Sequence, residues 1–264
     1  MKEYIDHLGN KIQLLQHPYR IISVVPSQTE LLYNLGLDKE VVGITKFCIH
    51  PEKWFREKER VGGTKKLNIE KIISLKPDLI IANKEENTKE DIETLKQYFP
   101  VWISDINSMD DALKMIADIG EITERKEKAA EIIHTIASQF NTLKLEIKNL
   151  RKIRTAYFIW YNPLMAAANH TFINYMLGIC NFENVFADKN RYPEISEHEL
   201  KESNPEIILL SSEPFPFKEK HISYFQSICP KAKILLVDGE LFSWYGSRLI
   251  HSANYFKQLR QLLQ

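Results

Sequence analysis

Cysteine is scarce in this chain, with Cys48, Cys180 and Cys229 the only three in 264 residues. They are too few and too widely spaced for a disulfide framework, and an odd number leaves at least one thiol unpaired within the chain. An excess of either charge is also missing. Lysine plus arginine and aspartate plus glutamate both number 35, and they are interspersed, so no overall field draws the chain to nucleic acid. No apolar run reaches the roughly 18 residues of a membrane span. The first residues carry Lys2, Glu3, Asp6, His7 and Lys11, where an export signal needs an uninterrupted apolar core. Either the chain stays in the cytoplasm, or it starts after a removed signal and is periplasmic or lipid-anchored. Enzyme signatures are lacking too: there is no G-x-S-x-G elbow, no G-x-G-x-x-G after a strand, no P-loop and no H-E-x-x-H, and Gly62-Gly63-Thr64-Lys65 does not have Walker spacing. These absences move weight from catalysis to binding.

What is present is enough for a substantial core, since 44% of the residues are hydrophobic and 27% charged; the length suits one large domain or two small ones. The chain also repeats itself. IEKIISLKPDLIIA, residues 69–82, matches EHELKESNPEIILL, residues 197–210, and each is followed by a second apolar run ending in aspartate, at Asp105 and Asp238. The openings correspond as well, RIISVVPSQTELLYNLG with RTAYFIWYNPLMAAANHTFINYMLG. Repetition of this kind predicts a duplicated α/β lobe. Short apolar runs at 21–25, 79–81, 101–103, 207–210 and 234–237 alternate with helical segments, which favours a parallel sheet in each lobe. Ser27 and Glu30 have capping-box spacing, and Gly36 and Gly178 sit where helices should stop.

Between the copies, residues 121–162 contain neither glycine nor proline. Ala129, Ile133, Ile136, Phe140, Leu143, Ile147 and Leu150 recur at four- and three-residue steps, the signature of one long amphipathic helix. The expected organisation is therefore an N-terminal lobe at 1–122, a linking helix at 123–151 and a C-terminal lobe at 152–264. Such a rod joining two lobes would restrain their closure.

Ligands of open parallel sheets collect at the carboxyl ends of the strands. Loops there would present Gln28, Lys46, Phe47 and Asn83 from the first lobe, and Trp160, Tyr161, Arg191, Tyr192, Phe242, Trp244, Tyr245 and Arg248 from the second. Aromatic rings from separate loops suit a broad apolar ligand, and the Arg248 fork suits a carboxylate or phosphate. Cys48 and His50 are metal-capable, but the further ligands of a closed site are not evident. No catalytic residue and no intrinsic cofactor are expected.

The order of these segments, from DHLGNKIQLLQHPYRIISVVPSQTELLYNLGL through VVGIT, NIEKIISLKPDLIIA, the linking helix, SEHELKESNPEIILL and WYGSR, resembles the helical-backbone class of ABC-transporter substrate-binding proteins over essentially the whole chain. These are receptors for cobalamin, haem and ferric siderophores, and the resemblance is greatest to cobalamin-binding members. It implies two Rossmann-like lobes with mostly parallel sheets, joined by one long α-helix. It also implies a non-catalytic receptor, monomeric, that captures a metal chelate in an interlobe cleft for uptake through an ABC permease. Docking acids on the two lobes would match Glu70 in the first and, in the second, the position of His198, which is flanked by the candidate acids Glu197 and Glu199. Asn83 stands where the cobalamin receptors carry a ligand-facing tryptophan. Two other readings remain: an intracellular protein or enzyme handling such chelates through Cys48, His50 or the Asp238–Glu240 pair, and a scaffold that binds a protein partner.

Overall fold

The computed structural model describes residues 2–263. Two five-stranded sheets organise them. In the first, strands run in the spatial order Glu59–Arg60, Val41–Ile44, Ile21–Ser23, Leu79–Asn83 and Val101–Ser104, all parallel. Every residue of Ile21–Ser23, Leu79–Asn83 and Val101–Ser104 is buried. Helices on both faces of a parallel sheet remove it from water, so these strands are apolar except at their last residues, Ser23, Asn83 and Ser104, with no in–out alternation. A hairpin, Lys2–Ile5 with Lys11–Leu14, precedes this sheet.

The second sheet has the order Met165–Ala166, Ile153–Trp160, Ile207–Ser211 and Lys233–Val237, with Phe182–Asn184 pairing in parallel along the start of the long strand. Its one antiparallel member is Met165–Ala166. All five apolar runs singled out in the sequence are strands, within a residue or two at their ends.

By contact the chain divides into two compact units: residues up to Thr135 together with Tyr245–Arg248, and Ile136–Trp244 together with the residues from Leu249 onward. The linking helix is Lys126–Ile147, shorter at both ends than 123–151. Glu124 adopts φ 55° and separates it from the preceding helix, Met109–Ile122; the glycine-free, proline-free stretch also contains the strand Ile153–Trp160. At a rise of ~1.5 Å per residue the helix is about 33 Å long. Ala129, Ile132, Ile136, Phe140, Leu143 and Ile147 form its buried stripe, with Ile132 in the place expected for Ile133. Among the described residues no helix is long and apolar enough to cross a membrane.

Helix starts are fixed by side-chain caps at Asn68, Thr88, Ser108, Thr171 and Ser196, each accepting a backbone N–H that the first turn leaves without a partner. The capping box expected at Ser27 and Glu30 does not form. Proline is pre-organised for the first helical position, so the helix Pro26–Asn34 starts at Pro26 with Val25 as its cap, and Ser27 falls inside it. Gly36, at φ 80°, ends that helix. Gly178 is still helical, and its helix Phe172–Ile179 is closed by Asn181 at φ 58°.

Leu209 is fully buried in the middle of the second sheet, whereas Leu236, on the neighbouring strand, is 40% exposed. Leu209→Ala is expected to lower unfolding free energy by about 2–5 kcal/mol, and Leu236→Ala by less than about 1 kcal/mol; urea denaturation of the two variants measures the difference.

Candidate functional site

In the first unit the carboxyl ends of the strands are packed with side chains that bond to one another. Gln28 is fully buried, and its Nε2 donates to Ser104 Oγ. Asn83, 2% exposed, donates from Nδ2 to the Ser104 carbonyl at 3.1 Å and to Ser104 Oγ at 3.0 Å. Its Oδ1 accepts the Glu85 and Glu86 amides at 2.8 and 3.0 Å. Both residues are expected at a ligand from the sequence; Asn83 instead satisfies buried groups and shapes the loop after the strand, whereas Gln28 pairs through Nε2 and its Oε1 is buried without a hydrogen-bond partner among the described residues. Cys48 is likewise enclosed: its sulfur lies 3.1 Å from both Thr29 Oγ1 and Thr45 Oγ1, and burial pushes its thiol pKa up. It does not join His50 in a ligand set; among the described residues no group of three or more His, Cys, Asp or Glu is arranged to hold a metal ion.

Lys46 and Phe47 differ in being exposed. The Lys46 ammonium lies 5.0 Å from the Phe47 ring centre. Both side chains rest on Gly63, where a Cβ would come within 3.1 Å of Phe47 Cε2 and 3.3 Å of Lys46 Cε.

In the second unit, rings gather where Ile153–Trp160 and Ile207–Ser211 end. Trp160, 39% exposed, meets Phe215 edge-on at 5.7 Å. Tyr161 stacks on Phe215 at 5.8 Å with 27° between planes, and contacts His221 at 5.0 Å and Tyr224 at 5.4 Å. Phe217 backs Phe215 at 4.9 Å and joins the buried cluster around Phe158 and Phe225. Arg191, at φ 58°, and Tyr192 are half-buried in a nearby loop, with the Arg191 backbone paired to Asn169. Phe215, Phe217, His221 and Tyr224 are members of this group that are not among the residues expected from the sequence. The available signal was Pro214-Phe215-Pro216-Phe217 immediately beyond a strand end.

The segment Asp238-Gly239-Glu240-Leu241-Phe242-Ser243-Trp244-Tyr245-Gly246-Ser247-Arg248 proves to be largely structural. Phe242 is fully buried between Tyr157 at 5.0 Å and Phe256 at 4.7 Å, so it belongs to the core and not to a ligand surface. It sits on the inward face of the short helix Gly239–Ser243, which packs on that core. Trp244 and Tyr245 are each 6% exposed, and Trp244 Nε1 donates to Glu213 Oε1 at 2.8 Å. The Arg248 fork is occupied: Nε and Nη2 donate to the two Glu30 carboxylate oxygens at 2.9 and 2.7 Å. A bidentate pair of this kind ties Tyr245–Arg248 to the helix Pro26–Asn34. The two glycines are there for close approach. A Cβ on Gly246 would lie 2.5 Å from the Ser27 carbonyl oxygen, and one on Gly239 would collide with Ser211 Oγ and Glu213 Cγ.

A groove of about 1130 Å³ in the first unit is lined by Lys2, Tyr4, Trp102, Lys114, Asp118 and Arg125 among others, and by none of the candidate residues. Its charges pair with one another, as in Lys2–Glu124 and Lys114–Asp118.

Residues 21–227 match the family model described as "Periplasmic binding protein". The chain belongs to the periplasmic binding protein family. It is 29% identical over 215 residues to an uncharacterized ABC transporter substrate-binding lipoprotein of Bacillus subtilis (strain 168), covering 78% of this chain and 68% of the relative. To a vitamin B12-binding protein of Yersinia pestis (strain Pestoides F) it is 28% identical over 194 residues, covering 73% and 69%. The crystal structure of the periplasmic vitamin B12-binding protein of Vibrio cholerae has the same fold, with a TM-score of 0.81 at 23% identity over 93% of this chain and 97% of that one. As a member of this family the chain is a solute-binding protein and not an enzyme.

The acids expected to dock this binding protein are in three different situations. Glu70 is exposed in the first turn of the helix Ile69–Leu75. Glu197 is exposed and accepts the Tyr224 hydroxyl at 2.7 Å; burial, followed by this carboxylate, pushes the Tyr224 pKa up to about 12. Glu199 is engaged by Lys189 at 2.8 Å and by the amide and hydroxyl of Ser196, which hold its pKa down to about 2.

A carboxylate whose folded pKa is lowered adds stability that is present above its unfolded value and lost as pH falls through the folded one. For Glu199 that window runs from the ordinary glutamate value of 4.5 down to about 2. Glu199→Gln is expected to flatten the pH dependence of unfolding free energy across it, a change measured by urea titrations at a series of pH values.

Proposed function

We propose that this binding protein captures a metal chelate with a broad, flat, apolar face, a corrinoid in preference to a ferric siderophore or haem, and holds it against the rings of the second unit. The observation that carries this reading is the platform of Trp160, Phe215 and Tyr161, partly exposed at adjacent strand ends with Tyr161 stacked on Phe215. A planar macrocycle gains buried apolar area and favourable ring geometry from such a surface without any need for a catalytic group. The vitamin B12-binding relative from Yersinia pestis supports the corrinoid preference.

The reading extends to place and partner. The family description and the substrate-binding lipoprotein of Bacillus subtilis support a role outside the cytoplasmic membrane, delivering ligand to an ABC permease. Glu70 and Glu197 are the docking acids of this proposal; Glu199 is left out because its carboxylate already serves Ser196 and Lys189.

Tryptophan emission is titrated with cyanocobalamin, haemin and a ferric hydroxamate. Saturable quenching by cyanocobalamin is expected, and Trp160→Ala and Phe215→Ala should each weaken binding about tenfold, equivalent to ~1.4 kcal/mol. If none of the three chelates quenches, this ligand class is abandoned.

A further inference from the structure

Glu213 stands two residues before the central platform ring, Phe215, in the loop that follows Ile207–Ser211. Its carboxylate is turned inward. Oε1 accepts Ser243 Oγ at 2.7 Å and Trp244 Nε1 at 2.8 Å. The rest of the loop is tied down at its base: Ser211 Oγ donates to the Glu213 carbonyl at 2.6 Å, and the Gly239 amide donates to Ser212 Oγ at 2.9 Å. Gly239 leaves no room for a side chain above Glu213 Cγ. Beyond these contacts the Phe215 amide has a single long bond, to the Ile159 carbonyl at 3.3 Å.

We propose that Glu213 is a positioning residue for ligand binding, whose ionised carboxylate, clamped by Ser243 and Trp244, holds the loop that sets Phe215 in the ring platform and releases that hold on protonation. The proposal rests on the platform reading above. Hydrogen bonds to an ionised acceptor are roughly twice as strong as neutral ones, so protonation keeps the geometry available but weakens the clamp. The Ser243 and Trp244 bonds favour the charged form of Glu213, but burial and nearby acids outweigh them. Burial pushes its pKa above the usual carboxylate range, and Glu240 and Asp238, from the turn and helix after Lys233–Val237, push the same way. Tyr157, on Ile153–Trp160, is held neutral by burial, and the Tyr255 hydroxyl accepts the Asp238 amide. Because the folded pKa is raised, the charged form costs fold stability and the cost is relieved as pH falls. Glu213→Gln, which keeps the shape and an acceptor oxygen but cannot ionise, is therefore expected to fold, with a thermal melt as the control.

Two measurements test the proposal. In the unliganded protein, tryptophan emission is followed as pH falls from neutral toward the ordinary carboxylate range. Wild type should show a transition, Trp160→Phe should retain the part reported by Trp244, and Glu213→Gln should abolish it. In the second, the affinity of cyanocobalamin, haemin or ferric hydroxamate, whichever wild type binds, should fall several-fold over the same range. Glu213→Gln should sit at the weakened level at every pH, and Ser243→Ala should share part of the loss. A pH transition that persists in Glu213→Gln, or a Glu213→Gln protein that binds like wild type throughout, overturns the proposal. If wild type binds none of the chelates, the platform reading fails, and the emission arm alone decides whether Glu213 controls Trp244 and the loop.

Discussion

Parallel strands buried on both faces constrain everything else in this protein. A strand that is covered above and below by helices has no side-chain position at which a polar or reactive group is tolerated without a partner. Chemistry is therefore displaced to the ends of the strands, where backbone groups fall out of the ladder and loops begin. In each unit the apolar runs terminate in polar and aromatic residues at these ends: Ser104 and Asn83 in one sheet, Trp160 and Ser211 in the other.

The two sets of strand ends are put to different use. In the first unit Asn83, Ser104, Thr29, Thr45 and Cys48 bond to one another, joined by Gln28 through its Nε2, a buried polar layer that leaves Lys46 and Phe47 outside it. In the second unit rings pack on rings, from the fully buried Phe158 and Phe225 through Phe217 to Phe215, Tyr161 and Trp160 near the surface. A core that rises to the surface as a cluster of packed rings offers an apolar surface on a buried support, and the carboxylate of Glu213 is the polar group beside its base.

Fold was legible from the chain because its signals are local or periodic. The apolar runs, the helical stripe around Ile136 and Phe140, and the internal repeat each depend on near neighbours, and they survive in the structure with shifts of a few residues. Two departures have a backbone cause: Pro26 moves a helix start ahead of Ser27, and Glu124 at φ 55° separates the helix Lys126–Ile147 from Met109–Ile122. The candidate site was less legible. Trp160, Tyr161, Lys46 and Phe47 lie where strand ends should place them, whereas Gln28, Asn83, Phe242 and Arg248 have the residue types of ligand contacts and were taken up by Ser104, by the loop amides, by Tyr157 and Phe256, and by Glu30.

By itself, then, the sequence determined the alternation of strand and helix, the repeat and the joining helix, since all of these are carried by spacing along one dimension, and its order of segments carried the resemblance to the family. Tertiary structure alone decided which rings face outward and which charges remain unspent. Phe242 and Phe215 look alike in a string of letters, each a few residues beyond a strand end, yet one is fully buried and the other lies in the platform. Partners from distant segments made that choice, as when Glu30 closed the fork of Arg248, because burial and hydrogen bonding are satisfied in space and leave no periodic trace in the chain.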